Sequence, residues 1–81
     1  MNDSTEAARK IRLVEINADA GDRAALEARY GRVWDTRELA RDFIVLGFAA
    51  PFIAARWKED ESKGSLEFQH QPRFYFNFQP D

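Results

Sequence analysis

The segment at residues 73–78 constrains the fold of this chain more than any other, because aromatic and polar side chains alternate along it. A period of two is typical of a strand with one buried and one exposed face. The side expected to enter the core carries Phe74, Phe76 and Phe78. The side expected to face solvent carries Arg73, Tyr75 and Asn77. We therefore predict a strand here, with Tyr75 as its exposed aromatic side chain.

Two earlier segments have the same period and predict two more strands. The first runs from Phe52 to Lys58, and its expected inward side chains are Ile53, Ala55 and Trp57. The second runs from Ser65 to His70, where Leu66 and Phe68 continue the same apolar face if the two strands pair antiparallel. Together with the segment at 73–78, they predict a three-stranded antiparallel meander.

The same pairing makes two local predictions. Glu67 is expected opposite Arg56 or Lys58, as a cross-strand pair of opposite charges. The polar loop between the two strands ends at Gly64, which we expect to have the positive φ that hairpin loops often require.

Residues 34–39 carry the signals of a helix N-terminus. Asp35 and Glu38 have the spacing of a capping box. Trp34 precedes the cap, and Leu39 follows at the position that completes a hydrophobic staple. A helix is therefore expected to begin at Thr36.

Apolar side chains continue this helix at spacings of four and three, at Leu39, Phe43 and Leu46. Gly47 then stands where a left-handed C-terminal cap is expected. The pattern predicts a helix over Thr36–Leu46.

Two further helices are expected before it. Asp22 is a plausible N-cap for a helix over Arg23–Tyr30, and Gly31 is its expected end. Thr5–Ala18 places apolar side chains on one helical face at Ala7, Ile11, Val14 and Ala18. Residues 10–17 also fit a strand with Arg12, Val14 and Ile16 on one side, and the sequence leaves that alternative open.

The predicted fold class is therefore α+β, with two or three N-terminal helices followed by the three-stranded antiparallel meander. We expect a single domain over residues 1–81, with residues 1–4 disordered. The order of elements also resembles a winged helix, whose basic contacts would be Arg37, Arg41, Arg56 and Lys58. Glu38 and Asp42 share the exposed helix face, and the net charge is −2, so nucleic-acid binding is not the expected function.

Composition excludes several other classes. The chain contains no cysteine, which excludes disulfides, thiolate metal sites and cysteine nucleophiles. The apolar stretch over residues 43–55 is shorter than a membrane helix and contains Gly47 and Pro51. Residues 1–12 contain no apolar core of a secretory signal, so a cytoplasmic location is expected. No membrane association and no cofactor are predicted.

Catalysis would depend on the single histidine, His70, in a predicted turn. General-base or nucleophilic chemistry needs a second group that holds or activates the first, and no recognisable pair occurs here. One histidine with scattered carboxylates has no known metal-ligand spacing, so no metal site is predicted. An enzyme or ligand-binding domain that uses His70 therefore remains only an alternative.

The function predicted by elimination is a small non-catalytic binding or protein-interaction module. On the polar side of the sheet, Phe52, Ala54 and Tyr75 form an expected apolar strip. Its expected polar rim is Arg56, Glu67, Gln69, Arg73 and Asn77. Because an apolar centre with a polar rim is the composition of an interface, the predicted partner is another protein or a second copy of the chain.

Overall fold

The structure is a computed structural model that describes residues 4–18 and 20–81. The elements in these residues are α1 (Ser4–Ala18), α2 (Arg23–Tyr30), β1 (Val33–Trp34), α3 (Thr36–Asp42), β2 (Phe43–Ala49), β3 (Phe52–Trp57), β4 (Lys63–Gln69) and β5 (Phe74–Pro80). The α+β class is confirmed. Residues 1–3, which belong to the segment predicted to be disordered, lie outside the described residues.

The predicted three-stranded meander is wrong, because five strands form one antiparallel sheet in the order β1-β5-β4-β3-β2. The winged-helix order is wrong for the same reason. A strand separates α2 from α3, and α3 leads directly into β2 instead of a wing.

Helix α3 begins as predicted and ends four residues early. The carboxylate of Asp35 accepts from the Glu38 N–H at 2.7 Å, and the carboxylate of Glu38 accepts from the Asp35 N–H at 3.0 Å. This confirms the capping box. The helix ends at Asp42, however, and residues 43–49 pair with β3. The predicted extension to Leu46 and the C-cap at Gly47 are therefore wrong, because this β-branched and aromatic run fits a strand as well as a helix face.

Helix α3 also forces the sheet to curl, because it joins the two opposite edge strands, β1 and β2. A helix of seven residues is about 10 Å long. In a flat sheet of five strands the edges would lie about 19 Å apart. The curl brings both edges together, so that the ring centroid of Trp34 lies 5.2 Å from that of Phe43 and 5.8 Å from that of Trp57.

The curl divides the apolar side chains between two cores. The inner face of the sheet holds Trp34, Leu39, Phe43, Ile53, Ala55, Leu66, Phe68 and Tyr75, with Trp57 and Phe78 packed against them. The outer face carries α1 and α2 over a smaller cluster: Ile16, Leu26, Val33 and Phe76, with Tyr30 and Phe74 at its border. Both faces of the central strands are therefore partly covered.

Strand β5 does not keep the alternation predicted for it. Asn77 has a φ of 58°, and the pairing of β4 with β5 shifts by one residue between Ser65 and Glu67. A bulge of this kind moves the residues after it to the other face. Phe74 and Phe76 therefore belong to the outer core and Phe78 to the inner core. The single phenylalanine face is wrong, and Tyr75 is 3% exposed instead of solvent-facing.

The hairpin of β3 and β4 has the predicted common face, since Ile53 lies opposite Leu66 and Ala55 opposite Gly64. The predicted partner of Glu67 is wrong, because Phe52 lies opposite it. Gly64 lies within β4, and the positive φ in the loop belongs to Glu61, at 62°.

The helical interpretation of residues 5–18 is correct, but the predicted inward stripe is wrong. Ile11 and Val14 are 62% and 68% exposed, whereas Ile16 is buried and Arg12 reaches the sheet. Helix α2 is confirmed with both of its caps. The Asp22 carboxylate accepts from the Ala25 N–H at 2.9 Å, and Gly31 ends the helix with a φ of 86°.

Two glycines offer a test of this strand pairing. A Cβ on Gly64 would lie 2.8 Å from the Cα of Pro80, so we expect Gly64→Ala to lower the free energy of unfolding by about 1–3 kcal/mol. A Cβ on Gly47 would meet nothing within 4 Å, so Gly47→Ala is the matched control, with an expected change within about 0.5 kcal/mol. Urea denaturation measures both, and equal effects of the two substitutions would contradict the pairing of β4 with β5.

Candidate interaction surface

Strand β2 forms one edge of the sheet and pairs only with β3 among the described strands. Its sequence is apolar throughout, and no ionisable side chain occurs between Asp42 and Arg56. Natural edge strands commonly carry charged residues or proline that discourage pairing with another chain. A bulge also discourages edge pairing, and β2 has one between Val45 and Gly47.

The backbone of β2 directs hydrogen-bonding groups away from the sheet. The Lys58 N–H donates to the Asp42 carbonyl at 2.9 Å, so these two residues are a hydrogen-bonded pair. Because such pairs alternate along antiparallel strands, Ile44 bonds to Arg56. The C=O group of Phe43 and the N–H and C=O groups of Val45 therefore point outward, where a further strand would meet them, whereas the Phe43 N–H already donates to the Leu39 carbonyl.

Apolar side chains are exposed on both faces of this edge. The exposed members are Ile44, Val45, Leu46 and Phe48, of which Leu46 is 51% and Phe48 65% exposed. Val45 lies opposite Ala55 and Phe48 opposite Ile53, which places both on the inner face. Ile44 lies opposite Arg56, on the outer face. A bound strand would therefore cover apolar groups above and below the sheet.

The apolar surface continues from the edge onto the sheet. A shallow hollow of about 300 Å³ lies beside β2 and is lined by Gly47, Phe52 and Ala54, among others. Its lining contains one polar side chain, that of Ser65. The edge and this hollow together form the edge surface, which we define as Ile44, Val45, Leu46, Phe48, Phe52 and Ala54.

The residues predicted to bind a partner fall in three places. Phe52 and Arg56 lie on β3 next to the edge strand, both half-buried. Tyr75 is in the inner core, and Arg73 lies beside it, donating to the Tyr75 hydroxyl at 3.3 Å and covering the Phe68 ring at 4.8 Å. Of the residues predicted to bind a partner, the structure thus brings Phe52 to the edge surface and Arg56 beside it, together with Ala54 of the predicted apolar strip.

The remaining three predicted residues, Glu67, Gln69 and Asn77, belong to polar networks on the outer face. The Glu67 carboxylate accepts from Arg12 at 2.6 and 3.1 Å and from the Asn77 amide at 2.9 Å. Gln69 donates to the carbonyls of Gly21 and Pro72, each at 2.8 Å. Because Glu67 and Gln69 are buried, these two side chains are inaccessible to a partner, and the half-buried Asn77 bonds to Glu67.

The ion pair of Arg12 and Glu67 sets the charge state of that network. Burial acts to raise the pKa of Glu67, but the hydrogen bonds from Arg12 and Asn77 outweigh it and hold the pKa below its usual value. The same contact, together with a hydrogen bond to the Tyr30 hydroxyl at 3.1 Å, raises the pKa of Arg12. The pair therefore anchors α1 to β4 in its ionised form.

The basic residues considered for nucleic-acid binding do not form one free basic surface. Arg41 bonds to the Asp42 carboxylate at 2.9 and 3.1 Å, which lowers the pKa of Asp42. Lys58 donates to the Ala40 carbonyl at 2.9 Å. Arg37 is exposed in the first turn of α3, and Arg56 is half-buried on β3.

His70 lies in the exposed turn after β4. Its Nδ1 is 3.3 Å from a guanidinium nitrogen of Arg73, and its backbone N–H donates to the Asn17 side chain at 3.2 Å. Neither neighbour is a nucleophile or a carboxylate. Across residues 4–18 and 20–81, no three His, Asp or Glu side chains are grouped closely enough to hold a metal ion.

A groove of about 430 Å³ between α1 and α2 is the rival site. Its walls combine Ile16, Leu26 and Phe76 with the polar groups of Arg12 and Tyr30. Arg12 already bonds to Glu67, Tyr30 and Glu15, so its guanidinium is engaged inside the protein. The guanidinium of Arg12 is therefore not available to bind a ligand in this groove.

No protein-family model, curated protein or solved structure matched the chain when it was compared with them. In the part of the chain that the structure describes, no helix is long and apolar enough to cross a membrane.

Removing the cation of the buried ion pair should change how the free energy of unfolding depends on pH. We expect Arg12→Met to lower the free energy of unfolding at pH 7 by about 3 kcal/mol, because it leaves the Glu67 carboxylate buried without its cation. In the wild type, the depressed pKa of Glu67 makes its contribution to stability disappear as the pH falls through that pKa. In the variant, burial raises the pKa above its unfolded value, so stability should increase as the pH falls from 7 to 5.

Urea denaturation at both pH values measures the difference. Lys10→Met is the control, because Lys10 pairs with Glu6 at 3.3 Å on the exposed surface and should contribute less than about 1 kcal/mol. Parallel pH dependence of the wild type and Arg12→Met would show that this pair does not control the ionisation of Glu67.

Proposed function

We propose that this chain is a non-catalytic protein-interaction module that binds its partner by strand addition at β2. The observation that carries the proposal is an uncharged edge strand with exposed apolar side chains on both faces, Ile44, Leu46 and Phe48 among them. In strand addition, main-chain hydrogen bonds supply affinity, and the side chains on alternate positions supply specificity. Strand β2 offers both contributions.

Exposed apolar side chains and outward backbone hydrogen-bonding groups both favour the binding of a strand to β2. Contiguous exposed apolar surface is rare on monomeric proteins and marks interaction sites. The outward C=O of Phe43 and the outward N–H and C=O of Val45 gain hydrogen-bond partners without any loss to the pairing of β2 with β3. Burial of apolar area contributes about 25 cal/mol per Å², so covering Leu46 and Phe48 adds to the affinity.

A peptide that copies residues 43–49 between terminal lysines tests the proposal as a fluorescent probe. We expect anisotropy to show binding to the wild type and at least about tenfold weaker binding to Leu46→Lys. The reason is that the substituted side chain would place a charge beside the added strand, whereas the monomer tolerates it because Leu46 is already exposed.

Val14→Lys is the matched control, because it adds the same charge at a similarly exposed apolar position on α1. Its affinity for the peptide should equal that of the wild type. A peptide with proline at its centre, which lacks one N–H donor, should bind more weakly than the parent. Equal binding by all three protein forms, or no binding to the wild type, would contradict strand addition at β2.

A further inference from the structure

We infer that the occupant of β2 is a second copy of this chain, paired antiparallel across a two-fold axis so that two five-stranded sheets become one sheet of ten strands. The inference rests on the proposed function, since it names the partner for the same edge. An isologous interface requires a surface that is complementary to itself. The uncharged sequence of β2 and its exposed apolar side chains meet that requirement.

The first argument is charge complementarity. Residues 43–55 contain no ionisable side chain, so two copies of β2 meet without repulsion. Along the chain, the nearest charges before the strand are Arg41 and Asp42 at the end of α3, and on the neighbouring strand Arg56 lies opposite Ile44. Antiparallel pairing about an axis at residues 44–47 places the end that carries Arg41 and Asp42 beside residues 46–53 of the other copy, which are uncharged. Like charges are therefore kept at opposite ends of the shared ladder.

The second argument is the area that a stable dimer needs. A standard interface buries about 800 Å² on each partner, out of the 5354 Å² that one copy exposes. One added strand covers the main chain and part of the side chains of β2. A second copy also brings its own exposed apolar side chains, so that Ile44 on the outer face and Phe48 on the inner face are covered in both copies.

The bulge in β2 limits where the axis lies. It interrupts the regular ladder between Val45 and Gly47, so two copies must pair on one side of it or across it. Pairing on its N-terminal side or across it keeps the axis within residues 44–47, where the exposed side chains of Ile44, Val45 and Leu46 lie. The register is therefore confined to a few positions that can be tested one at a time.

Sedimentation velocity over a range of concentrations tests the dimer. We expect the wild type to sediment as a dimer that dissociates on dilution, Leu46→Lys to raise the dissociation constant at least about tenfold, and Val14→Lys to leave it unchanged. Far-UV circular dichroism checks that each variant remains folded. A wild type that stays monomeric, or a dimer that Val14→Lys dissociates and Leu46→Lys does not, would overturn the inference.

Because the chain contains no cysteine, single cysteines provide a second test that does not depend on disrupting the dimer. Facing residues in an antiparallel pair have Cα atoms about 4.5–5.5 Å apart, within the range that a disulfide spans. Moving one residue from the axis separates a position from its own copy by about 6.8 Å along the strands.

Oxidation of single-cysteine variants at Ile44, Val45, Leu46 and Gly47 should therefore give a rate maximum at one or two adjacent positions. Ala24→Cys, exposed on α2, is the control for random collision and should cross-link slowly. Uniform rates across β2, equal to that of the control, would overturn the inference.

The two experiments separate the inference from the proposed function. A monomeric chain whose β2 binds the peptide retains strand addition and excludes self-pairing. A chain that binds no peptide and forms no dimer excludes both.

Discussion

The curled sheet depends on one cluster of aromatic rings. Phe43 and Trp57 lie 4.6 Å apart between ring centroids, and Trp34 closes the cluster from the opposite edge of the sheet. The Trp34 indole N–H also donates to Asp42 at 3.0 Å, so an aromatic side chain of β1 is bonded to the residue where α3 ends. Edge-to-face pairs of this kind contribute about 0.5–1.5 kcal/mol beyond their buried area. These pairs fill the space between the two sheet edges that the short helix α3 brings together.

This closure explains why the exposed edge is β2. Strand β1 has two residues, and both are buried. Strand β2 has seven, and of these only Phe43 is buried, since even Val45 and Phe48 on the inner face are 37% and 65% exposed. The same geometry leaves the outer face over β2 without a helix, since α1 lies on β4 and α2 on β1 and β5. The edge surface is thus the part of the sheet that the short connections cannot cover.

Features set by local interactions could be predicted from the sequence, and features set by distant partners could not. The capping box at Asp35 and the caps of α2 involve residues three or four positions apart, and the structure confirms them. Residues 43–49 form a strand because β3 offers an edge, which helical spacing does not reveal. The sequence does not reveal the bulge at Asn77 either. Tyr75 was therefore expected on the exposed face, but it lies in the core. At the edge surface, Phe52 and Ala54 could be predicted, whereas Ile44 and Leu46 were missed with their strand. The uncharged interval from Asp42 to Arg56 was the signal that could have identified them.

An exposed apolar edge strand can add further copies of a protein without limit. In this fold the difference in length between the two edge strands opposes such growth. A two-fold pairing uses the same edge of both copies and leaves only the β1 edge at each end of the joined sheet. That edge is two residues long, too short to template another strand. Growth by head-to-tail addition would instead require β2 of one copy to pair with β1 of the next, which offers two residues against seven. The large difference in length between the two edges therefore favours a closed pair over a fibre.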